Sequence, residues 1–225
     1  MSTIGNRKFA VMAGVFARVL PGALPGALAL APLAAGAALM VASPAQAYTD
    51  PYKFLDSVKK KDGDAVEKAL MDTNNRIVNT KDTSNGDTAL HIVVARRDLT
   101  WLSYLIGKGA DVNVQNDSNI TPLQVAVDQG WADGVSFLIA QHANVDPVND
   151  AGETPLMSAT HRKNLQIMRL LLEAGANPAR TDNSGRSSLD YAKLDGDRGV
   201  LDVLGSYAKN AKATSNKGMY GPSIP

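Results

Sequence analysis

Small and apolar residues recur through the middle of this chain at a fixed step of 33 residues. From Gly152-Glu153-Thr154-Pro155-Leu156-Met157-Ser158-Ala159, the step leads back from Thr154 to Thr121 in Thr121-Pro122-Leu123-Gln124. A second step back reaches Thr88 in Thr88-Ala89-Leu90-His91, and one step forward reaches Ser187 in Ser187-Ser188-Leu189-Asp190. The same step carries Gly152 to Asn119, Gly86 and Gly185, Ala159 to Ala126, Val93 and Ala192, and Gly175 to His142 and Gly109. A fixed period of this length implies one helical unit used repeatedly, because a short helix pair cannot bury its apolar face without a neighbour to stack on.

Within each unit the pattern predicts two helices. Thr88, Thr121, Thr154 and Ser187 are placed as N-caps, with Pro122 and Pro155 in first turns where a missing N–H is harmless. Leu123, Ala126 and Val127, and likewise Leu156 and Ala159, fall at helical spacing and are expected in the core. Second helices are predicted near Leu99–Ile106, Ala132–Ala140 and Leu165–Glu173, ending in Leu or Ile pairs. Gly109 and Gly175 then stand where a left-handed C-cap is wanted, and His142 takes that place in the middle unit.

These columns resemble the ankyrin repeat: Gly-x-Thr-Pro-Leu-His-x-Ala, a Leu-Leu pair, then Gly-Ala-Asp-Val-Asn, which stands here as Gly109-Ala110-Asp111-Val112-Asn113. The resemblance spans roughly residues 52–207 and is strongest over 83–180. It implies an all-α solenoid of stacked helix-turn-helix repeats joined by hairpin-like loops. The repeats are expected at 83–115, 116–148 and 149–181, with a C-terminal cap at 182–207. Residues 48–82 are expected to form an N-terminal capping helix pair, with 74–82 as a linker, and 208–225 a disordered tail.

Residues 1–47 are set apart. Arg7 and Lys8 form a basic start, no charge occurs from Val19 to Ala42, and Ala45-Gln46-Ala47 offers small residues at the positions a signal peptidase reads. The segment is expected to be a secretory signal with Tyr48 as the mature N-terminus, giving a periplasmic protein with no membrane association after cleavage. An uncleaved membrane anchor and a secreted effector meeting host proteins are the alternatives. The sequence has no cysteine, which excludes disulfides, lipidation at cysteine, thiol catalysis and thiolate metal sites.

Of 23 basic residues, three lie in the first 47 and three beyond Tyr207, which leaves 17 basic against 22 acidic residues between them. This balance argues against nucleic acid as a partner. No nucleophile elbow, phosphate-binding glycine loop or zinc helix motif is present, so neither an enzyme nor a cofactor is expected. Asp62-Gly63-Asp64 and Asp195-Gly196-Asp197 lack the further ligands of a calcium loop and read as turns. His91 belongs to the Thr-x-Leu-His column, where the resemblance implies a hydrogen bond between adjacent turns.

What remains is a binding surface. In ankyrin-like stacks partners lie against the loop tips and first helices, and this implies a monomer that binds a protein partner through its concave face. The candidate contact residues are Ile120, Asp128, Gln129, Trp131, Glu153, His161 and Arg162. Two readings of Trp131 stand side by side: an exposed aromatic anchor, or a ring packed on the turn beside it. Trp101, in a second-helix column, is expected to be structural.

Overall fold

Four first helices begin where the hydroxyl residues stand, and each is stapled by a reciprocal cap. In the computed structural model, which describes residues 44–217 and the side-chain surroundings of 51–207, these are α3 (Ala89–Ala95), α5 (Pro122–Asp128), α7 (Pro155–His161) and α9 (Ser188–Asp195). The Gln124 amide donates to Thr121 Oγ1 at 3.3 Å while the Thr121 amide donates to Gln124 Oε1 at 3.0 Å. Ser187 and Asp190 repeat the exchange at 3.0 and 3.3 Å. Two otherwise orphaned amides are satisfied at each start, worth about 1 kcal/mol per cap.

The second helices are α4 (Leu99–Gly107), α6 (Ala132–Ala140), α8 (Leu165–Glu173) and α10 (Arg198–Lys217). Asp98 and Asn164 cap α4 and α8 through their side chains, and Asp197 Oδ1 accepts the Val200 amide in α10. One step of the period from Asp98 and from Asn164, and two from Asp197, lies Trp131, which caps α6 with no side-chain hydrogen bond. The N-terminal pair is α1 (Pro44–Lys60) and α2 (Gly63–Asp72), the latter capped by Asp62. The expected linker holds a short 3-10 helix at Arg76–Asn79, whose Ile77 and Val78 are buried. Most of the expected signal segment lies outside the described residues. Its last four residues form the first turn of α1.

Stacking runs in order through α1, α3, α5, α7 and α9 on one side, and α6, α8 and α10 touch in succession on the other. The core is one continuous column built from Leu90, Leu123 and Leu156, each at most 1% exposed, and from the small Val93, Ala126, Ala159 and Ala192, which let neighbouring helices approach. α10 continues past Tyr207 to Lys217, beyond the expected end of the folded region. The residues that follow, Ala208-Lys209-Asn210-Ala211-Lys212-Ala213, hold alanine and lysine, which favour helix even where no apolar stripe exists. Among the described residues no helix is long and apolar enough to cross a membrane.

The loop tips explain which glycines the pattern keeps. Gly86 and Gly152 adopt φ of 73° and 76°, and a Cβ at Gly152 would sit 2.6 Å from Asn183 Oδ1 in the next tip. Asn183 is there because its amide donates to the Ala151 carbonyl at 3.1 Å and its side chain to the Asp150 carbonyl at 2.9 Å. His142 takes φ 63° in the column where Gly109 and Gly175 take 92° and 97°, so the middle unit keeps the left-handed cap without the residue that adopts it freely.

Candidate functional site

The first-helix ends of the middle repeats carry side chains that pair across repeat boundaries. On α5 and α7, Arg162 Nε lies 3.6 Å from Asp128 Oδ1, and the same carboxylate accepts a hydrogen bond from the Ser158 hydroxyl. Both charged groups are substantially exposed, at 51% and 43%. Next to them His161 Nδ1 stands 3.4 Å from Glu153 Oε1, and its ring meets Tyr191 edge to face at 4.2 Å between centroids. Tyr191 on α9 donates through its hydroxyl to Asp182, and Arg186 lies 5.9 Å over its ring.

The Tyr191 hydroxyl, followed by Ser184, holds the Asp182 carboxyl far below the usual carboxylate range. The outcome is a strip spanning three repeats in which acidic, basic and aromatic groups alternate at the surface. Exposed ion pairs of this kind add little to stability, typically 0–1 kcal/mol. Their side chains are held in place and remain open to a partner.

Five of the expected contact residues fall on or beside this strip. Asp128, His161 and Arg162 are exposed, Glu153 is half-buried, and Gln129 is exposed with its carbonyl accepting from Arg97. Ile120 is half-buried, and its carbonyl is committed to His91 Nε2 at 2.9 Å. Trp131 is corrected. It is 9% exposed and belongs to the core, and its ring occupies the space above Gly134, where any Cβ would overlap it. At the same column the other repeats place Trp101, Ile167 and Val200. The indole of Trp131 thus enters from the capping position to fill what Gly134 leaves empty, and it is not available as an anchor.

Tyr191 is not among the surface residues expected from the sequence. The available signal was modest: an aromatic in the first helix of the last repeat, 30 residues on from His161, at a place where earlier repeats carry Val125 and Ser158.

Ladders between repeats hold this surface in register. His91 Nδ1 accepts the Thr88 amide at 3.2 Å, so Nε2 carries the proton and donates to the Ile120 carbonyl of the next unit. Gln124 does the same to the Glu153 carbonyl at 3.2 Å. Asn113 Oδ1 accepts the Asn144 amide at 2.7 Å, and Asp146 accepts the Asn177 amide at 3.0 Å. A sequence profile described as Ankyrin repeats, in three copies, matches residues 55–149 and 132–216. The chain belongs to the ankyrin-repeat family. The Thr-x-x-His and Thr-x-x-Gln units are its first-helix starts, and ankyrin repeats are in general protein–protein interaction modules.

The two Asp-Gly-Asp segments stand at helix boundaries; only the second holds a turn, at Gly196, whereas Gly63 and Asp64 already belong to α2. Asp62 Oδ1 accepts the Ala65 amide and Asp197 Oδ1 the Val200 amide, each capping a helix, while Gly196 takes φ 66° to end α9. Three successive lysines at the end of α1 are tied down by carboxylates: Lys59 to Asp82 at 2.9 Å, Lys60 to Asp56 at 2.7 Å and Lys61 to Asp98 at 3.1 Å. Burial pushes the Asp98 carboxyl up, but the Trp101 amide, Lys61 and Arg96 together hold it below its ordinary value.

Proposed function

We propose that this ankyrin-repeat chain is a non-catalytic interaction module, exported to the bacterial periplasm, that binds a protein partner through the strip on α5, α7 and α9. The observation that carries the reading is the Asp128–Arg162 and Glu153–His161 pairing. Asp128 and Arg162 are tied across a repeat boundary, and Glu153 and His161 within the repeat 149–181, on the exposed side of helices whose opposite faces pack in the core. Such a surface offers partners both signs of charge beside an aromatic ring, a composition that favours specificity and oriented encounter.

Export rests on the basic start, the uncharged stretch and Ala45-Gln46-Ala47. Removal of the first 47 residues leaves Pro51 in the first turn of what remains of α1, where its missing N–H removes no intrahelical bond. Mass spectrometry of the exported protein is expected to find Tyr48 first. A full-length species held in the inner membrane would support the anchor instead.

The binding claim is tested by capture from periplasmic extract with the chain and with His161→Ala/Arg162→Ala. The proposal expects a specific protein retained by the parent and lost by the double variant, with both showing the same cooperative melt. Equal retention by the two would overturn it.

A further inference from the structure

The second-helix side of the stack is not uniformly closed. α6, α8 and α10 are in close contact, whereas α4 packs less closely on both α2 and α6, and a groove of about 300 Å³ opens between α2 and α4. Its walls are Asp64 and Glu67 on α2 and Thr100, Trp101 and Tyr104 on α4. The period shows how unusual this is. Trp101 shares its column with Ile167 and Val200, which are 0% and 1% exposed, yet Trp101 remains half-buried. A column that is core elsewhere has here been given the largest aromatic side chain and left partly uncovered.

Three features define what fits. Trp101 and Tyr104 stand edge to face at 6.0 Å between centroids. Each ring already carries a cation from this chain, Arg96 at 5.3 Å from Trp101 and Lys108 at 5.3 Å from Tyr104, and neither cation lines the groove. The groove's own charged residues, Asp64 and Glu67, are both acidic and exposed. A flat apolar segment would leave both carboxylates unanswered.

We infer that the groove between α2 and α4 is a second docking site, taking a basic side chain of a protein partner: its stem lies against Trp101 and Tyr104 and its charged end meets Asp64 and Glu67. Cations over indole and phenol faces gain from the ring quadrupole, more so when partly desolvated, and a long alkyl stem covers apolar surface while its head stays among carboxylates. This inference goes beyond the first-helix strip and does not depend on it, because the two surfaces share no residue.

The probe is N-acetyl-arginine amide, titrated into the full chain with the indole N–H resonances of Trp101 and Trp131 followed by NMR. A weak, saturable shift of Trp101 alone, in roughly the millimolar to tens-of-millimolar range expected of so small a ligand, is the expected result. Neutral N-acetyl-citrulline amide is expected to give no saturable shift, and Asp64→Asn/Glu67→Gln to weaken the arginine probe about tenfold or more. His161→Ala/Arg162→Ala is expected to leave the titration unchanged, so failure here and failure of the first-helix strip are told apart. No saturable Trp101 shift, an equal response to citrulline, or full binding by the Asp64/Glu67 variant would overturn the inference.

Discussion

His91 Nε2 donates to the carbonyl oxygen of Ile120 at 2.9 Å, tying one first helix to the loop that opens the next repeat. Gln124 makes the equivalent bond to Glu153 at 3.2 Å. One period on, Met157 occupies the position. Its sulfur accepts the Thr154 amide at 3.5 Å, and the side chain has no donor to offer the Arg186 carbonyl. The ladder therefore stops at the boundary with the last repeat.

Met157→His is expected to extend that ladder. The imidazole would take the Thr154 amide on Nδ1 and give Nε2–H to the Arg186 carbonyl, a net gain of about 0.5–1.5 kcal/mol for a buried hydrogen bond that is fully satisfied. A urea melt reads the change in midpoint. A lower midpoint would mean that the last repeat sits too far away for the bond.

The pH dependence follows from the same residue. Burial, opposed by the bond to Ile120, pushes the His91 imidazole below its ordinary value of 6.5. A histidine held neutral in the fold contributes stability above its unfolded pKa and loses it as the unfolded chain gains the proton, so stability is expected to fall as pH drops below about 6.5. Asp182, held low first by Tyr191, and Asp82, held low first by Ser84 with Lys59 adding to it, lose their contributions further down, as pH falls below about 4. His91→Gln keeps the donor and removes the titration. Its stability is expected to change less between pH 7 and 5 than the parent's, and equal slopes would remove His91 from the account.

Trp131→Ala is expected to cost about 3–5 kcal/mol, the loss typical of emptying a buried aromatic site. Gly134→Ala is expected to destabilise as well, since the new methyl meets the Trp131 ring. Chemical denaturation of each single variant measures both, and a Trp131→Ala variant as stable as the parent would return the indole to the surface.

His142→Gly is expected to raise stability by roughly 0.5–1 kcal/mol, because glycine adopts positive φ without the Cβ penalty even after its greater unfolded-state freedom is counted. The same change at Gly109 and Gly175 is already made by the sequence. Thermal unfolding of the single variant checks it, and a lower midpoint would show that the imidazole makes packing contacts worth more than the strain.

Much of this was legible from the repeat. The four first-helix caps stand at Thr88, Thr121, Thr154 and Ser187, and the second helices begin at Leu99, Ala132 and Leu165 as the pattern required, because every boundary except the one at Trp131 is written locally as a hydroxyl, a proline or an Asp/Asn. The burial of Trp131 was harder to read. Two columns had to be compared together: the capping column, where Asp98, Asn164 and Asp197 show Trp131 to be out of place, and the next turn, where Gly134 leaves room for a ring. Hydrophobicity alone sends an aromatic beside a turn either way. Tyr191 and the opening between α2 and α4 depend on how closely successive helices approach, which no single position records.

The most direct test of the first-helix strip is hydrogen–deuterium exchange on the chain with and without its captured partner. Protection is expected over residues 126–131 and 158–163, with Tyr191 and its neighbours next, while peptides from α8 exchange as in the free chain. Protection confined to α2, α4 or the segment beyond Tyr207, with the α5 and α7 ends unchanged, would contradict it.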